Sequence, residues 1–301
     1  MNQFTMQWNI TAKEEGVLVR EFLRQKGISK AALTDIKFHG GDIRVNGNAV
    51  TVRHVLQEGE LLQISFPPEE RSEGMVSEDI PLMIIYEDEH VVVINKQPYM
   101  STIPSREHPS GTVANALLYH YDKQGLPNTV HVVTRLDRDT SGLMLIAKNR
   151  FVHHLLSQQQ QQKQIRRTYE ALVHGCVDET EGTIDAPIAR KADSIIERVV
   201  REDGQHAVTY FRVLERYADM TRVELELETG RTHQIRVHMS YLGHPLLGDD
   251  LYGGKRGLMD RQALHSKKLV FYHPILEREL SFITELSYDM KRAIEKEHPH
   301  R

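Results

Sequence analysis

The chain has 301 residues, a formal net charge of −4 and a pI near 6.5. This length is enough for one large domain and a smaller companion. With 40% hydrophobic residues and 27% charged residues, it has the composition of a globular protein, and no apolar run approaches the roughly 20 residues that span a bilayer. The only cysteine, Cys176, excludes an intrachain disulfide, and the first ten residues lack the layout of a secretory signal. We therefore expect a cytoplasmic protein that does not contact a membrane.

The first 66 residues predict a small α+β unit. Apolar spacing indicates a helix over Val17–Gln25, and Ser29 is a suitable N-cap for a second helix. Gly40–Gly41 would end that helix, and the turn dipeptide Asn46–Gly47 between short apolar runs predicts a hairpin. A last strand is predicted over Leu61–Phe66.

Positive charge is concentrated in this unit although the whole chain is acidic. Between Arg20 and Arg53 there are seven basic and three acidic residues, a local excess of +4 (7 − 3). Binding to phosphate depends on where positive charge is placed more than on its sum, but most mixed-charge helical faces are simply solvated. The candidate RNA contacts in this unit are Arg20, Arg24, Lys26, Lys30, Lys37 and Arg44.

A polar segment separates this unit from the rest of the chain. Pro67–Ile80 begins with two prolines and is rich in acidic residues, which is typical of a linker. We therefore predict two domains, residues 1–75 and residues 76–301. Because such a linker indicates separate cores, we expect the second domain to fold without the first.

The second domain is predicted to be α+β with a largely antiparallel sheet. Its segment VELELE alternates apolar and acidic residues, as a strand with one solvated face requires. The predicted strands are Met83–Tyr86, Val91–Asn95, Leu143–Ala147, Tyr169–Val173, Val208–Leu214 and Val223–Leu227. The predicted helices are Val113–Tyr121, Phe151–Gln158, His233–Leu242 and one near Met290–Lys296.

The segment TRLDRDTSG, from Thr134 to Gly142, places charged residues between two apolar strands. Side chains at the end of a strand can converge on a ligand, which makes Arg135 and Asp137 candidate site residues. Two other interpretations remain open from the residues alone. The segment could be an acidic turn capped by its own backbone amides, or Asp137-x-Asp139 could belong to a metal-assisted phosphotransferase.

Two further segments carry candidate site residues. In Leu227–Gly253, Gly230 ends a strand, Arg231 follows it, and Thr232 is placed to cap a helix. An arginine at such a point can bind a carboxylate with two parallel hydrogen bonds. Tyr169 lies on a predicted strand just after three basic residues, although core packing is the ordinary role of a lone tyrosine.

The 17 histidines give no sign of a metal site. No pair has a recognised zinc spacing such as H-E-x-x-H, and cysteine ligands are absent. Roles at the surface or in support of other side chains are therefore expected for the histidines, and no metal is predicted.

Taken together, these motifs resemble the RluA-type family of pseudouridine synthases. The matching segments, in the family's order, are EDEHVVVINKQPYMSTIPS, RLDRDTSG, RTHQIRVH with its GHPLLGDDLYG tail, and RQALHSKKLVFYHP. The resemblance covers about residues 80–286, and the first domain more loosely resembles an S4-like RNA-binding module. One departure is Thr134, where the family usually has histidine, and we expect this to alter substrate preference rather than abolish activity.

The resemblance implies roles for individual residues. It makes Asp137 the catalytic nucleophile, Arg231 its ion-pair partner, and Tyr169 the ring that stacks on the target base. Whether Tyr169 also removes the C5 proton stays open. Arg135 would fill the gap left when the base flips out of the RNA. The residues implied in substrate binding are Arg135, Lys96, Thr232, His233, Gln234 and Arg236.

The implied reaction is isomerisation of uridine to pseudouridine in folded RNA. A carboxylate can attack the ribose at C1′ or assist the departure of uracil, so no cofactor is expected. Ribosomal RNA is the predicted substrate, with transfer RNA as the alternative, and a monomer is expected. The rival functions are the phosphotransferase and a non-catalytic RNA-binding protein, of which the first leaves Arg231 and Tyr169 without a role.

Overall fold

The computed structural model describes residues 3–71, 74–105 and 108–297. Ser72 and Glu73, in the middle of the predicted linker, lie outside the described residues. Within the described ranges the strands form sheets of four, ten and two strands. None of the helices in these ranges is long and apolar enough to cross a membrane.

The N-terminal part, residues 3–66, is a four-stranded sheet with two helices. Its elements are β1 (Thr5–Asn9), α1 (Val19–Gln25), α2 (Lys30–Phe38), β2 (Asp42–Val45), β3 (Asn48–Ala49) and β4 (Leu61–Ser65). The sheet has the order β1-β4-β2-β3 and is antiparallel. The Ser29 hydroxyl accepts a hydrogen bond from Ala32 N and begins α2, and Asn46 and Gly47 adopt the positive φ values that a hairpin turn needs. The predicted helices and hairpin are therefore confirmed.

Strand β1 is not predicted by the sequence pattern. Its exposure alternates, with Met6 and Trp8 half-buried, and the Trp8 ring contacts Phe22 edge-on at 5.6 Å between centroids. Five residues with only two apolar side chains carry too weak a periodic signal to indicate a strand without knowledge of β4 beside it.

The C-terminal part, residues 81–297, contains the other elements within the described residues. They are β5 (Ile84–Glu87), β6 (Val91–Lys96), α3 (Val113–Lys123), β7 (His131–Val132), β8 (Ser141–Ala147), α4 (Arg150–Gln161), β9 (Arg166–His174), β10 (Glu181–Asp185), β11 (Ile188–Arg190), β12 (Arg198–Val200), β13 (Val208–Arg216), β14 (Met220–Leu227), α5 (Gln234–Tyr241), β15 (Leu264–His273), β16 (Arg278–Ile283) and α6 (Tyr288–Glu297). A short 3₁₀ turn follows α5 at Asp250–Tyr252. Every helix and strand predicted for this part overlaps an observed element of the same type.

The large sheet has the order β10-β13-β14-β9-β15-β8-β6-β5, with β16 beside β15 and β7 beside β8. Its pairs are antiparallel except for β15 with β8, which are parallel. The predicted α+β class with a mainly antiparallel sheet is therefore confirmed. In β14, Val223 and Leu225 are buried while Glu226 is exposed, which confirms the predicted solvated face.

The central strands β8, β9 and β15 position the candidate site. β8 begins against β15 at Gly142, whose φ is +113° and whose Cβ, if present, would lie 2.3 Å from the Ser266 backbone oxygen. Only glycine fits there, so β8 can start directly below the loop that carries the charged motif. The apolar residues Leu136, Tyr169, Ile235 and Leu264 belong to one buried cluster beneath the site.

Residues of the predicted linker are bound to the C-terminal part. The Glu69 carboxylate accepts hydrogen bonds from Thr129 Oγ1 (2.8 Å) and Arg150 N (2.6 Å). Two residues later, the Arg71 guanidinium lies 2.6 Å from Asp122. The described residues of this segment contain no helix or strand, as its composition indicates. Composition cannot show that Glu69 and Arg71 bind groups of the C-terminal part.

The two parts also share apolar contacts. Phe66 stands between Phe4 and Phe151, with ring centroids 5.2 and 5.1 Å away, and one buried hydrophobic cluster contains residues of both parts. The two parts therefore share an apolar cluster and do not have fully separate cores, because Phe66, directly after the last N-terminal strand, packs against Phe151 of α4. That the second domain folds without the first stays a prediction. The domain boundary at residues 75 and 76 stays a prediction.

Candidate active site

Asp137 lies in the loop, residues 133–140, that joins β7 to β8. The loop closes on itself through a hydrogen bond from Thr140 N to Asp137 O (3.1 Å), and Thr102 Oγ1 donates to Leu136 O (2.9 Å) at its flank. The Asp137 side chain is 30% exposed and faces a cleft. Its carboxylate is bound by side chains of α5 and not by the amides of its own turn, so the site is not a self-capped acidic turn.

Arg236, and not Arg231, is the ion-pair partner of Asp137. Arg236 Nη1 donates to Asp137 Oδ2 at 3.2 Å. Arg231 lies before α5 on an exposed loop, where its Nε donates to the backbone oxygen of His206 at 3.0 Å. The predicted Arg231–Asp137 pair is therefore wrong. The reason is that Arg231 precedes α5, which begins at Gln234, and that Arg236, five residues after Arg231, lies on the buried face of this helix and reaches the aspartate.

Arg236 is held in place before any substrate binds. Its Nε and Nη2 donate to the two oxygens of Asp249 at 2.7 and 2.8 Å, and its guanidinium lies 4.9 Å from the centre of the Tyr252 ring. Burial alone would lower the pKa of Arg236, but the hydrogen bonds and charges of Asp249 and Asp137 raise the pKa above its ordinary value. A two-pronged pair of this kind fixes orientation as well as charge.

The start of α5 differs from the prediction. His233, and not Thr232, is the residue that precedes the helix, and it adopts a left-handed backbone conformation with φ +57°. Thr232 is exposed and lines the cleft beside Arg231. A non-glycine residue in this conformation is uncommon and concentrates at functional sites.

Gln234 is a structural anchor and not the predicted substrate ligand. Its Oε1 accepts from Arg231 N (2.9 Å) and Thr229 Oγ1 (2.8 Å), while its Nε2 donates to Val208 O and Thr209 Oγ1. A primary amide has two donor hydrogens and two acceptor positions, so the protein uses all of its capacity. Gln234 fixes the loop that precedes α5 against β13.

Lys96 supports the Asp137 loop from below. It is 1% exposed, and its ammonium donates to the backbone oxygens of Gln97, Met100 and Arg138 at 2.8 to 2.9 Å. Burial, reinforced by the charge of Arg261, lowers its pKa to about 7. The predicted role in substrate binding is corrected, because all three ammonium hydrogens are directed at the protein's own backbone.

Thr134, the departure from the family pattern, faces the interior. It is fully buried, and its hydroxyl accepts a hydrogen bond from Leu145 N at 2.9 Å. A residue that joins the loop to β8 in this way does not line the cleft. The expectation that Thr134 alters substrate preference therefore finds no contact to support it.

The cleft in front of Asp137 has a volume of about 590 Å³. Tyr169, 4% exposed, lies in its wall on β9 between β14 and β15. Of the nine residues predicted for catalysis and substrate binding, all but Lys96 line this cleft, namely Arg135, Asp137, Tyr169, Arg231, Thr232, His233, Gln234 and Arg236. Residues separated by about 100 positions in sequence are thus brought to one site.

Arginines surround the mouth of the cleft. Arg135, Arg138 and Arg231 are exposed, and Arg167 is half-buried. Arg135 forms no hydrogen bond or ion pair with any described residue, whereas Arg138 is paired with Asp139 at 2.9 Å. A concave site with a positive rim concentrates a polyanionic ligand above the aspartate.

The six basic residues predicted to bind RNA in the N-terminal part are all exposed. Arg20 and Arg24 lie on α1, Lys30 and Lys37 lie on α2, and Lys26 follows α1. Arg44 on β2 is paired with Asp42 at 2.5 Å. Their accessibility agrees with a role in binding phosphate, which stays a prediction.

Several residues of the site are not evident from the sequence. Asp249 and Tyr252 lie in the GHPLLGDDLYG segment, but nothing in the sequence indicates that they contact Arg236. Arg261, 2% exposed, donates to the Asp139 backbone oxygen (2.8 Å) and forms a two-pronged pair with Asp289. The sequence does carry one signal for these contacts. Asp249 and Arg261 lie in segments rich in glycine and apolar residues, and a charged residue in such a segment is buried only when it is paired.

A carboxylate paired with a pre-oriented arginine, in a cleft with a positive rim, defines an enzyme that acts on a polyanion by nucleophilic or acid–base chemistry. Comparison with known proteins identifies the family of enzymes to which the chain belongs. Residues 90–241 match the family described as RNA pseudouridylate synthase. The chain belongs to this family, it is an isomerase that acts on RNA, and the predicted resemblance to the RluA-type enzymes is confirmed.

Individual relatives agree with this assignment. The chain is 58% identical to the uncharacterized RNA pseudouridine synthase YjbO of Bacillus subtilis over 93% of this chain and 99% of the relative. It is 43% identical to ribosomal large subunit pseudouridine synthase D of Vibrio parahaemolyticus over 83% and 81% of the two chains. The solved structure of human RNA pseudouridylate synthase domain containing 4 has the same fold, with a TM-score of 0.60, 24% identity and coverage of 72% and 93%.

Proposed function

We propose that this protein isomerises uridines in ribosomal RNA with Asp137 as its nucleophile. The observation that carries the proposal is the Asp137–Arg236 pair in the cleft beside Tyr169. Oδ2 of Asp137 is bound by Arg236, while Oδ1 forms no hydrogen bond with the described residues. One carboxylate oxygen is therefore held and the other is left for the substrate.

The proposed reaction needs only this carboxylate and proton transfers. Oδ1 attacks C1′ of the ribose, the C1′–N1 bond breaks, and its electron pair stays on N1 of the released uracil. The base turns within the cleft, and C5 then bonds to C1′ as the carboxylate leaves. C5 loses its proton and N1 gains one, so the product is an isomer of the substrate and no oxidant or reductant is consumed.

The cleft fits a nucleotide that has left its helix. A uridine within a stem or a stacked loop is not accessible to a side chain until it is extruded. Tyr169 supplies a ring on which the extruded base can stack, and Arg135, exposed and without a partner among the described residues, is available to fill the vacated position. Arg167 and Arg231 are placed to bind the neighbouring phosphates.

Ribosomal RNA is favoured by the relatives, and the charge of the surface supports RNA binding in general. A relative with 43% identity carries the name of a ribosomal large subunit pseudouridine synthase, and the exposed basic residues of the N-terminal part offer a second RNA contact outside the cleft. Transfer RNA is the alternative substrate.

The test is a map of pseudouridines in ribosomal and transfer RNA from cells with the gene, without it, and with an Asp137→Asn copy. We expect one or more ribosomal sites to disappear in the last two strains. Purified protein should then release tritium from a 5-tritiated transcript of that region, in EDTA and monovalent salt. Loss of sites only in transfer RNA would overturn the ribosomal proposal but leave the activity intact.

A further inference from the structure

His233 lies between the reacting carboxylate and a buried tyrosine. Its Nε2 is 3.7 Å from Asp137 Oδ2, and its Nδ1 is 2.8 Å from the Tyr252 hydroxyl oxygen. The imidazole side chain is 12% exposed, and its ring meets the Tyr252 ring edge-on at 5.7 Å. One imidazole thus faces an acceptor at one nitrogen and a hydroxyl at the other.

The hydrogen-bond partners determine which nitrogen carries the proton. Arg198 N donates to the Tyr252 oxygen at 2.9 Å, so within the described chain the only acceptor left for the tyrosine proton is His233 Nδ1. The Nε2 side faces a carboxylate, which accepts and does not donate. Both ends therefore require the neutral imidazole with its proton on Nε2.

The surrounding charges agree with a neutral ring. Burial lowers the pKa of His233 below its ordinary value, the charge of Asp137 opposes this effect, and that of Arg236 reinforces it. Asp249 and Arg198 act more weakly and with opposite signs. Burial also raises the pKa of Tyr252, so its phenol keeps the proton that it donates to Nδ1.

We propose that His233, fixed as the Nε2–H tautomer by Tyr252, is a positioning residue for Asp137. Arg236 Nη1 and His233 Nε2 converge on the same oxygen, Oδ2. Arg236 forms a hydrogen bond to Oδ2 at 3.2 Å, whereas the His233 N–H faces the same oxygen from 3.7 Å, beyond hydrogen-bond distance. Such contacts at active sites tighten when substrate binds, and a second N–H at this position restricts the rotation of the carboxylate and directs Oδ1 into the cleft. This inference rests on the proposed role of Asp137 as nucleophile, and it replaces the predicted role of His233 in binding substrate.

The backbone of His233 offers a test that separates positioning from folding. At φ +57° asparagine is tolerated better than glutamine, since short polar side chains favour the left-handed region. Glutamine, however, can place an N–H near the position of Nε2, whereas asparagine reaches only the position of Nδ1. A purely structural role would favour His233→Asn, and the proposed role favours His233→Gln.

The experiment is single-turnover tritium release at saturating RNA for the two variants and for Tyr252→Phe. We expect the rate constant of His233→Asn to fall by about tenfold, the order of losing one polar contact to the reacting carboxylate in the transition state, with RNA affinity unchanged. His233→Gln should retain more activity than His233→Asn. Tyr252→Phe should also be slower, although its ring still packs on Arg236. If His233→Asn matches wild type or exceeds His233→Gln, the proposal is overturned while the proposed function stands.

Two further measurements do not depend on that ranking. In long-range ¹H–¹⁵N spectra, the His233 signals, assigned by their absence in His233→Gln, should show Nε2–H in wild type and a mixture in Tyr252→Phe. This holds even if the substrate is not the one proposed. Protonation of Nδ1 at low pH removes the acceptor for the Tyr252 proton and so releases the ring from the tyrosine. Low pH should therefore slow wild type more than His233→Gln. An Nδ1–H tautomer, or identical acid limbs, would contradict the proposal.

Discussion

The basic residues of the N-terminal part and those of the cleft differ in how they are held. On α1 and α2, side chains such as Arg20 and Lys30 project into solvent and have at most loose ion pairs, as between Arg20 and Glu21 at 3.9 Å. In the cleft, Arg236 is 8% exposed, and its partner Asp249 is 1% exposed. The charges on the N-terminal helices, like those at the mouth of the cleft, are thus solvated, whereas the charge beside Asp137 inside the cleft is buried and paired.

This difference separates binding from chemistry. When solvated basic side chains bind phosphates, counterions condensed on the RNA are released. The contributions of these side chains to affinity are spread over many residues and weakened by salt. A buried charge loses its hydration and must be paired, but it is already oriented when the substrate arrives. Substitutions should therefore act gradually in the N-terminal part and abruptly in the cleft.

The largest expected effect is that of Asp137→Asn on turnover. The amide has nearly the same size but is not a nucleophile, so the rate should fall on the order of 10⁴-fold or more. RNA affinity should change little, since the phosphate contacts are unaffected. Tritium release and filter binding measure the two quantities, and activity within about tenfold of wild type would remove Asp137 from the mechanism.

Replacing the two arginines near α5 gives the next largest effect and tests the corrected pairing. Arg236→Ala leaves Asp249 buried without a partner, and such a change costs about 3–5 kcal/mol of unfolding free energy. Arg231→Ala, the matched control on the exposed loop, should cost no more than about 0.5 kcal/mol. Arg236→Lys should also be slow, because lysine keeps the charge but cannot form the two-pronged bond to Asp249.

Denaturant melts of a double-mutant cycle would show that Asp249 is the source of the cost. Arg236→Ala combined with Asp249→Asn should destabilise less than the sum of the single changes, the sign of direct contact. Strict additivity, or equal destabilisation by Arg231→Ala and Arg236→Ala, would contradict the observed pairing.

The outcome for Arg231 and Arg236 shows which features of the site can be predicted from the sequence and which cannot. Asp137, Tyr169 and the residues from Arg231 to Arg236 line one cleft, as expected from the motifs that resemble the family. Their roles toward a substrate stay predictions. A local motif does not reveal which of several arginines turns inward. Arg231 and Arg236 are five residues apart, and their directions depend on where α5 begins, which His233 sets through its left-handed backbone.

The fold shows the same limit at a larger scale. Strands with an alternating or continuous apolar pattern, such as β8 and β14, are predicted from their own residues. Strands such as β1 and β16 are not, because they alternate weakly and are stabilised by neighbours far along the chain. The linker is recognisable by composition, but its attachment through Glu69 and Arg71 depends on partners that composition cannot show.

The smallest effect is expected from charge removal on the N-terminal part. Deleting this part would expose Phe151, so substitution is the cleaner test. Changing Arg24 and Lys30 to glutamine should lower RNA affinity and reduce the slope of log affinity against log salt by about 0.7 to 0.9 for each phosphate that the protein no longer neutralises. The turnover rate at saturating RNA should stay the same, because no cleft residue is altered.

A matched control is available on α6, where Arg292 and Lys296 are also exposed but lie on the C-terminal helix. Their change to glutamine removes positive charge from the protein as a whole, so it measures the effect of net charge alone. If both variants lose affinity equally, the effect reflects net charge and not a binding surface. If the α1–α2 variant keeps the wild-type salt slope, those side chains do not contact phosphate. A reduced slope for the α1–α2 variant alone would mean that solvated charges of the N-terminal part hold the RNA while paired charges of the cleft carry out the reaction.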